Sequence, residues 1–143
     1  MMDEENGAAL DELFPIRETF HDFAGSKREF VITLGPHPNG FFLKAREQVS
    51  SESDAGYEFA AYSPVDPFFA LGVLRDKIRK GLATRYLSHT DGMRGLGHDR
   101  LEGRVGFDGV VVDGEFISFD EFCSMLQAYE GFHISLEIAD PYS

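Results

Sequence analysis

The sequence predicts an α+β domain, a mostly antiparallel sheet packed by about three helices in the order α-β-β-β-α-β-β-α-β. Several short runs alternate apolar with polar residues, the period of a half-buried strand. One long stretch, from Pro67 to Leu87, repeats its apolar residues at helical spacing instead. The connectors are short and rich in Gly, Pro, Asn and Ser, which suits hairpins joining antiparallel neighbours.

The first segment, AALDELFPIRETFHDFAG, places Leu10, Leu13, Phe14, Phe20 and Phe23 near helical spacing. Pro15 removes an amide donor there, so one kinked helix or two short ones are expected, stopped at Gly25. Three alternating runs follow. Phe30, Ile32 and Leu34 share a face in EFVITL, Phe41, Leu43 and Ala45 in FFLKAR, and Tyr57, Phe59 and Ala61 in YEFAAY. Joined through GPHPNG and SSESDAG, they read as a three-stranded meander.

Asp66 then caps a long helix with Pro67 in its first turn, where the missing donor costs nothing. Leu71, Leu74, Ile78 and Leu82 form its buried stripe, which Gly72 and Gly81 weaken slightly. SHTDGMRGLGHDR reads as a glycine-rich loop. Strands are expected at about 101–107 and 110–112, then a turn at Asp113 and Gly114 and a short strand to Ile117. Ser118 and Glu121 suit a reciprocal capping box, opening a helix that buries Phe119, Phe122, Leu126 and Tyr129 and ends at Gly131. The run FHISLEI alternates as a final strand, with Phe132, Ile134, Leu136 and Ile138 inward.

A chain of 143 residues, 43% hydrophobic, suits one domain over 1–143, with an N-terminal helical segment at 1–27 and an α+β core at 28–143. Fourteen Phe and five Tyr supply enough large apolar side chains to fold despite a net charge of -12. The single cysteine, Cys123, leaves no internal disulfide or Cys-pair metal site, and a cytoplasmic address follows. The acidic start MMDEENGAAL is unlike a secretory signal, and no apolar run approaches the roughly 20 residues that span a bilayer.

The charge is unevenly laid out. Residues 1–74 hold 13 acids and 5 bases, residues 75–104 hold 4 acids and 8 bases, and residues 105–143 hold 8 acids and no base. The overall negative field disfavours nucleic acid and anionic lipid, so any such contact would fall to the central basic segment.

VVVDGEFISFDEF imitates the back half of a calcium-binding EF-hand. With Gly114 at the loop's sixth position, Gly109 and Val111 fall where side-chain oxygens are needed, and Asp120 replaces the closing Glu. A hairpin turn meeting a helix cap explains the run without an ion. His89, Asp91, His98 and Asp99 are metal-binding residue types, but their glycine-rich setting fixes no ligand geometry. No cofactor is expected.

The central helix carries Arg75, Lys77, Arg79, Lys80 and Arg85. Helical arithmetic sets Arg75 and Arg85 beside the apolar stripe, and Phe69, Val73 and Lys80 near the opposite face, where they could form a partner contact. His133, Ser135 and Glu137 share a strand face but point in parallel rather than converging, unlike a catalytic triad. Cys123 falls close to the apolar face of the last helix and reads as a small core residue.

GYEFAAYSPVDPFFALGVLRDKIRKGLATRYL and VVVDGEFISFDEFCSMLQAYEGFHISLEI resemble a family of small uncharacterised bacterial proteins, a domain of unknown function. The shared features are a Gly-Tyr-Glu-Phe strand, a basic helix with Gly-Leu-Ala, an Asp-Gly hairpin and a Tyr-Glu-Gly bend, over roughly residues 30–138. The resemblance implies a bacterial, cytosolic protein of the same fold and carries over no activity or site.

The expected function is a non-enzymatic protein-binding module, because no nucleophile, base or metal set clusters and segmental charge favours steered association. A more specific form is an acidic inhibitor or immunity-type protein whose base-free C-terminal third, with Asp120, Glu121 and Glu130, occupies the basic site of a nucleic-acid enzyme. The alternative is a small enzyme, or an anion or metal binder, using the His89–Asp99 loop and nearby arginines. An exposed sheet edge is also open to pairing with a second copy.

Overall fold

A computed structural model of the chain describes residues 10, 12–35, 39–49 and 55–142. Nine strands in three antiparallel sheets and two helices occupy these residues. The fold is mostly β, which corrects the expected α+β order α-β-β-β-α-β-β-α-β with about three helices.

The first difference is at the N-terminal segment, where Leu10, Glu12 and Leu13 before Pro15 are helical but strand β1 (Ile16–His21) replaces the helix expected after it. Ile16, Glu18 and Phe20 turn inward while Arg17, Thr19 and His21 are exposed, a period of two that starts just after Pro15. Helical spacing across Leu13, Phe14, Phe20 and Phe23 was a coincidence of two segments separated by that proline.

β1 is the edge of a four-stranded sheet, β1-β2-β3-β4, with β2 (Lys27–Gly35), β3 (Phe41–Glu47) and β4 (Glu58–Ser63). The expected meander is thus present with one strand more. Residues 36–38 and 50–54, most of the two connectors read as hairpin loops, lie outside the described residues. Pairing sets Ile16 beside Ile32, Ile32 beside Ala45, and Leu43 between Leu34 and Ala61, so these apolar residues share one face.

Helix α1 (Pro67–Ala83) covers that face. Asp66 caps it, accepting the Phe68 amide at 2.9 Å, and Pro67 occupies the first turn, both as expected. Leu71, Leu74, Ile78 and Leu82 are buried against Phe30, Ile32, Leu43 and Ala45 in the larger core. A Cβ at Gly81 would lie 2.5 Å from the Phe59 ring, so the glycine lets the helix sit close on β4.

The expected glycine-rich loop is instead a hairpin of β5 (Leu87–Thr90) and β6 (Met93–Leu96). Asp91 and Gly92 turn it with positive φ of 53° and 77°, the left-handed pair that matches strand twist. Three further strands, β7 (Arg104–Gly106), β8 (Gly109–Val112) and β9 (Glu115–Ser118), form the third sheet. Its β8–β9 turn uses Asp113 at φ 54° and Gly114 at φ 76°, as the Asp-Gly pair foretold.

Helix α2 (Phe119–Gln127) follows at once. Ser118 accepts the Glu121 amide at 3.1 Å, while the Glu121 carboxylate turns to Arg94 rather than back to the Ser118 amide; the Phe119 amide donates to the Asp108 carbonyl. Met125 is the buried residue of this helix, packed with Leu87, Val112 and Ile117 in a second, smaller core. Phe119 and Cys123, both expected inside, are exposed.

The expected final strand is absent. Phe132 to Ile138 has no assigned strand partner, and both faces of the segment are exposed. Alternation alone does not make a strand when no neighbour offers its hydrogen bonds.

Candidate protein-binding surfaces

The C-terminal segment exposes four large apolar side chains in a row of alternate positions. Phe132, Ile134, Leu136 and Ile138 are exposed to 72%, 75%, 80% and 80%. Its two ends are nevertheless tied down. The Phe132 amide donates to the Tyr129 carbonyl at 2.8 Å, and the two rings meet edge to face at 5.6 Å. Beyond it, the Pro141 carbonyl accepts from the Lys77 ammonium at 3.1 Å, and the Tyr142 ring packs edge-on against Phe42 at 4.9 Å. The Lys77 ammonium also donates to the Ala60 carbonyl of β4 at 2.8 Å, and burial, opposed by Asp140, lowers its pKa.

His133, Ser135 and Glu137 alternate in sequence with the four apolar residues, so an extended partnered form would place the two sets on opposite sides. Sequence reasoning found the alternation but assigned it to the interior. The signal it passed over is that Gly131 and Pro141 bracket the run, separating it from any hairpin that would bring a neighbour alongside.

A second surface lies at the start of α1. Phe69, Val73, Arg75 and Arg79 line one groove of about 530 Å³ together with Phe68, which sequence reasoning missed. Phe68 and Phe69 are exposed, whereas Val73 packs on the main core. The arginines are already engaged. Arg75 forms a bidentate pair with Glu18 of β1, and Arg79 lies over the Phe20 ring at 5.9 Å and 3.5 Å from Asp76. Arg75 and Arg79 therefore tie α1 to β1.

Lys80 points elsewhere. With Lys77, Thr84, Tyr86, His98 and Arg100 it lines a cleft of about 620 Å³ beside the end of α1. Asp99 and Glu102 also line it, so the cations there are partly balanced. The Tyr86 hydroxyl donates to Glu102 at 2.8 Å; burial and that carboxylate raise the phenol's pKa, and the hydrogen bond lowers that of Glu102.

The residues weighed as metal ligands do not converge. His89 reaches Glu115 at 3.2 Å and contacts Arg85, Asp91 sits in the β5–β6 turn, and His98 meets the Tyr86 ring edge-on at 6.3 Å. Among the described residues no group of three His, Cys, Asp or Glu is placed to hold an ion.

The acids of the C-terminal third also separate. Asp120 and Glu130 are exposed, whereas Glu121 is held by Arg94 through bonds of 2.6 and 2.8 Å that lower its pKa. Arg94 reaches Glu115 as well, at 3.3 Å, and so joins β6 to both β9 and α2. No sequence spacing announced this pairing, which depends on the hairpin that was read as a loop.

A family model described as a domain of unknown function (DUF7686) matches residues 12–83, half of the chain. The chain belongs to that family. A second model, likewise a domain of unknown function (DUF7713), matches residues 83–143. The DUF7686 segment contributes the four-stranded sheet, α1 and the Phe69 groove, and the DUF7713 segment contributes the two smaller sheets, α2 and the exposed run 132–138. The expected membership of an uncharacterised family holds. No curated protein and no solved structure matches the chain. Among the described residues no helix is long and apolar enough to cross a membrane.

Proposed function

We propose that this protein is a non-enzymatic module, working in the cytosol, that binds another polypeptide by adding the segment 132–138 to its sheet. The observation that carries the reading is the exposure of Phe132, Ile134, Leu136 and Ile138 on a segment fixed at both ends. Strand addition takes affinity from main-chain hydrogen bonds and specificity from alternate side chains, and this run offers both. Anchored ends reduce the ordering cost that a free tail would meet on binding.

Asp120 and Glu130, exposed in a third of the chain that holds no Lys or Arg, give the surface an acidic rim. Such a rim suits a basic partner, as an inhibitor or immunity-type protein would meet in a nucleic-acid enzyme, and would quicken the encounter at low salt. The test is capture of partners from a bacterial lysate by the wild-type chain and by Leu136→Lys. Loss of a stoichiometric partner with Leu136→Lys, and weakening with Asp120→Lys plus Glu130→Lys, are expected. Equal capture by all three would overturn the reading.

A second reading, a small anionic ligand in the cleft of Lys77, Lys80 and Arg100, is supported by the cations that line it. A thermal shift with phosphate or a phosphorylated ligand that disappears in Lys80→Ala would favour it over strand addition.

A further inference from the structure

We infer that a polypeptide received by segment 132–138 is the same segment of a second copy, paired antiparallel about a two-fold axis at Ser135. The inference rests on the strand-addition reading and names its partner. In this register Phe132 stands opposite Ile138, Ile134 opposite Leu136, and His133 opposite Glu137. Each apolar residue meets an apolar one, and an imidazole donor meets a carboxylate, twice per dimer. A two-fold interface must be self-complementary in this way.

The register also sorts the faces. Phe132, Ile134, Leu136 and Ile138 of both copies gather on one side of the ribbon, while His133, Ser135 and Glu137 stay on the wet side. Side-by-side pairing covers the flanks of these side chains and the paired main chains, which places the interface at the small, transient end of the size range. The edge of β4 is a poorer acceptor, because the Lys77 ammonium already occupies its Ala60 carbonyl.

Charge opposes the association at longer range. Each copy carries -12, and Glu130 and Asp140 face each other just past the ribbon ends. Added salt therefore strengthens self-pairing, whereas it weakens capture of a basic foreign partner.

Sedimentation of the full chain from about 1 to 100 µM, at low and moderate salt, tests this. A dimer that grows with salt is expected. His133→Glu should weaken it about tenfold by setting Glu against Glu137, and His133→Glu with Glu137→Lys should restore it. Ser135→Cys, in a Cys123→Ser background, should form a disulfide-linked dimer, since only residue 135 faces its own copy. A monomer throughout, or a dimer indifferent to His133→Glu, overturns self-pairing. If the chain is monomeric yet Leu136→Lys still loses a captured partner, self-pairing falls and strand addition stands. If Leu136→Lys changes neither, both fall. The substituted side chains are exposed, and an unchanged melting temperature separates loss of pairing from loss of fold.

Discussion

Asp113 illustrates how much one turn residue can hold. Its buried carboxylate accepts the Leu87 amide at 2.8 Å and the Tyr86 amide at 3.0 Å, fastening the β8–β9 turn to the chain leaving α1. Asp113→Ala strips both amides of their acceptor and should cost about 3 kcal/mol in denaturant unfolding; Asp113→Asn, which keeps one acceptor and tolerates positive φ, should cost about half. Asp22 is a second such residue. Burial alone would raise its carboxyl, but the Ser26 amide, Arg28 and the Ala24 amide outweigh it, so its pKa is lowered. A depressed folded value means that the unfolded chain binds the proton first, so this stabilisation is complete above the ordinary aspartate range and lost as pH falls through the folded pKa. Asp22→Asn should therefore destabilise at neutral pH by about 1–2 kcal/mol and make the acid limb of the stability curve shallower. Tyr57, whose ring lies beneath the Arg28 guanidinium, is pushed up to about 12 by burial and by Asp113. Caps and turns were readable at this scale because Ser118 and Asp66 act on amides near in sequence and the Asp113-Gly114 pair turns its own backbone, whereas the distant amides that the Asp113 carboxylate accepts were not. Glu121 was not, because its partner is 27 residues away.

At the scale of elements, the hairpin β5–β6 shows what short strands conceal. LSHT and MRGL are four residues each, too brief for alternation to separate them from a loop, and the glycines that suggested flexibility include the turn residue Gly92. The long helix α1 was legible because 17 residues repeat its stripe several times. β1 was obscured by phenylalanines on both sides of Pro15, and segment 132–138 shows strand pattern without strand pairing. The candidate surface was thus half legible: its alternation could be read, but its exposure depends on which neighbours the fold brings alongside. The hairpin is joined to α2 through Arg94, whose pairs with Glu121 and Glu115 are only partly shielded from water. Arg94→Met should accordingly cost about 1 kcal/mol, a fall of roughly 2–4 °C in melting temperature.

For the whole molecule, charge is the quantity that sequence gives most directly. A net charge of -12 on a chain this short makes the folded state repel itself, and ion pairs such as Arg104 with Glu58 offset only part of it. Raising ionic strength from about 10 to 150 mM should raise the melting temperature by a few degrees, since screening relieves the long-range repulsion more than the close pairs. A fall over that range would mean that local pairs dominate. The two hydrophobic clusters, one under α1 and one under α2, are of unequal size, and the larger holds Phe20, Phe30, Leu43 and Ile78 while the smaller is built on Leu87, Val112, Ile117 and Met125.

Between these clusters runs a set of hydrogen bonds to the main chain that gives the molecule a built-in clock. The Gly56 amide donates to the Gly114 carbonyl at 2.8 Å, and the Arg104 guanidinium donates to the Gly56 carbonyl at 3.0 Å. Deuterium can replace the Gly56 proton only when that contact opens, just as the Tyr86 and Leu87 protons wait for Asp113 to withdraw. If all three exchange in step, at the rate of global unfolding, the two family segments that meet at Ala83 open and close as one cooperative unit.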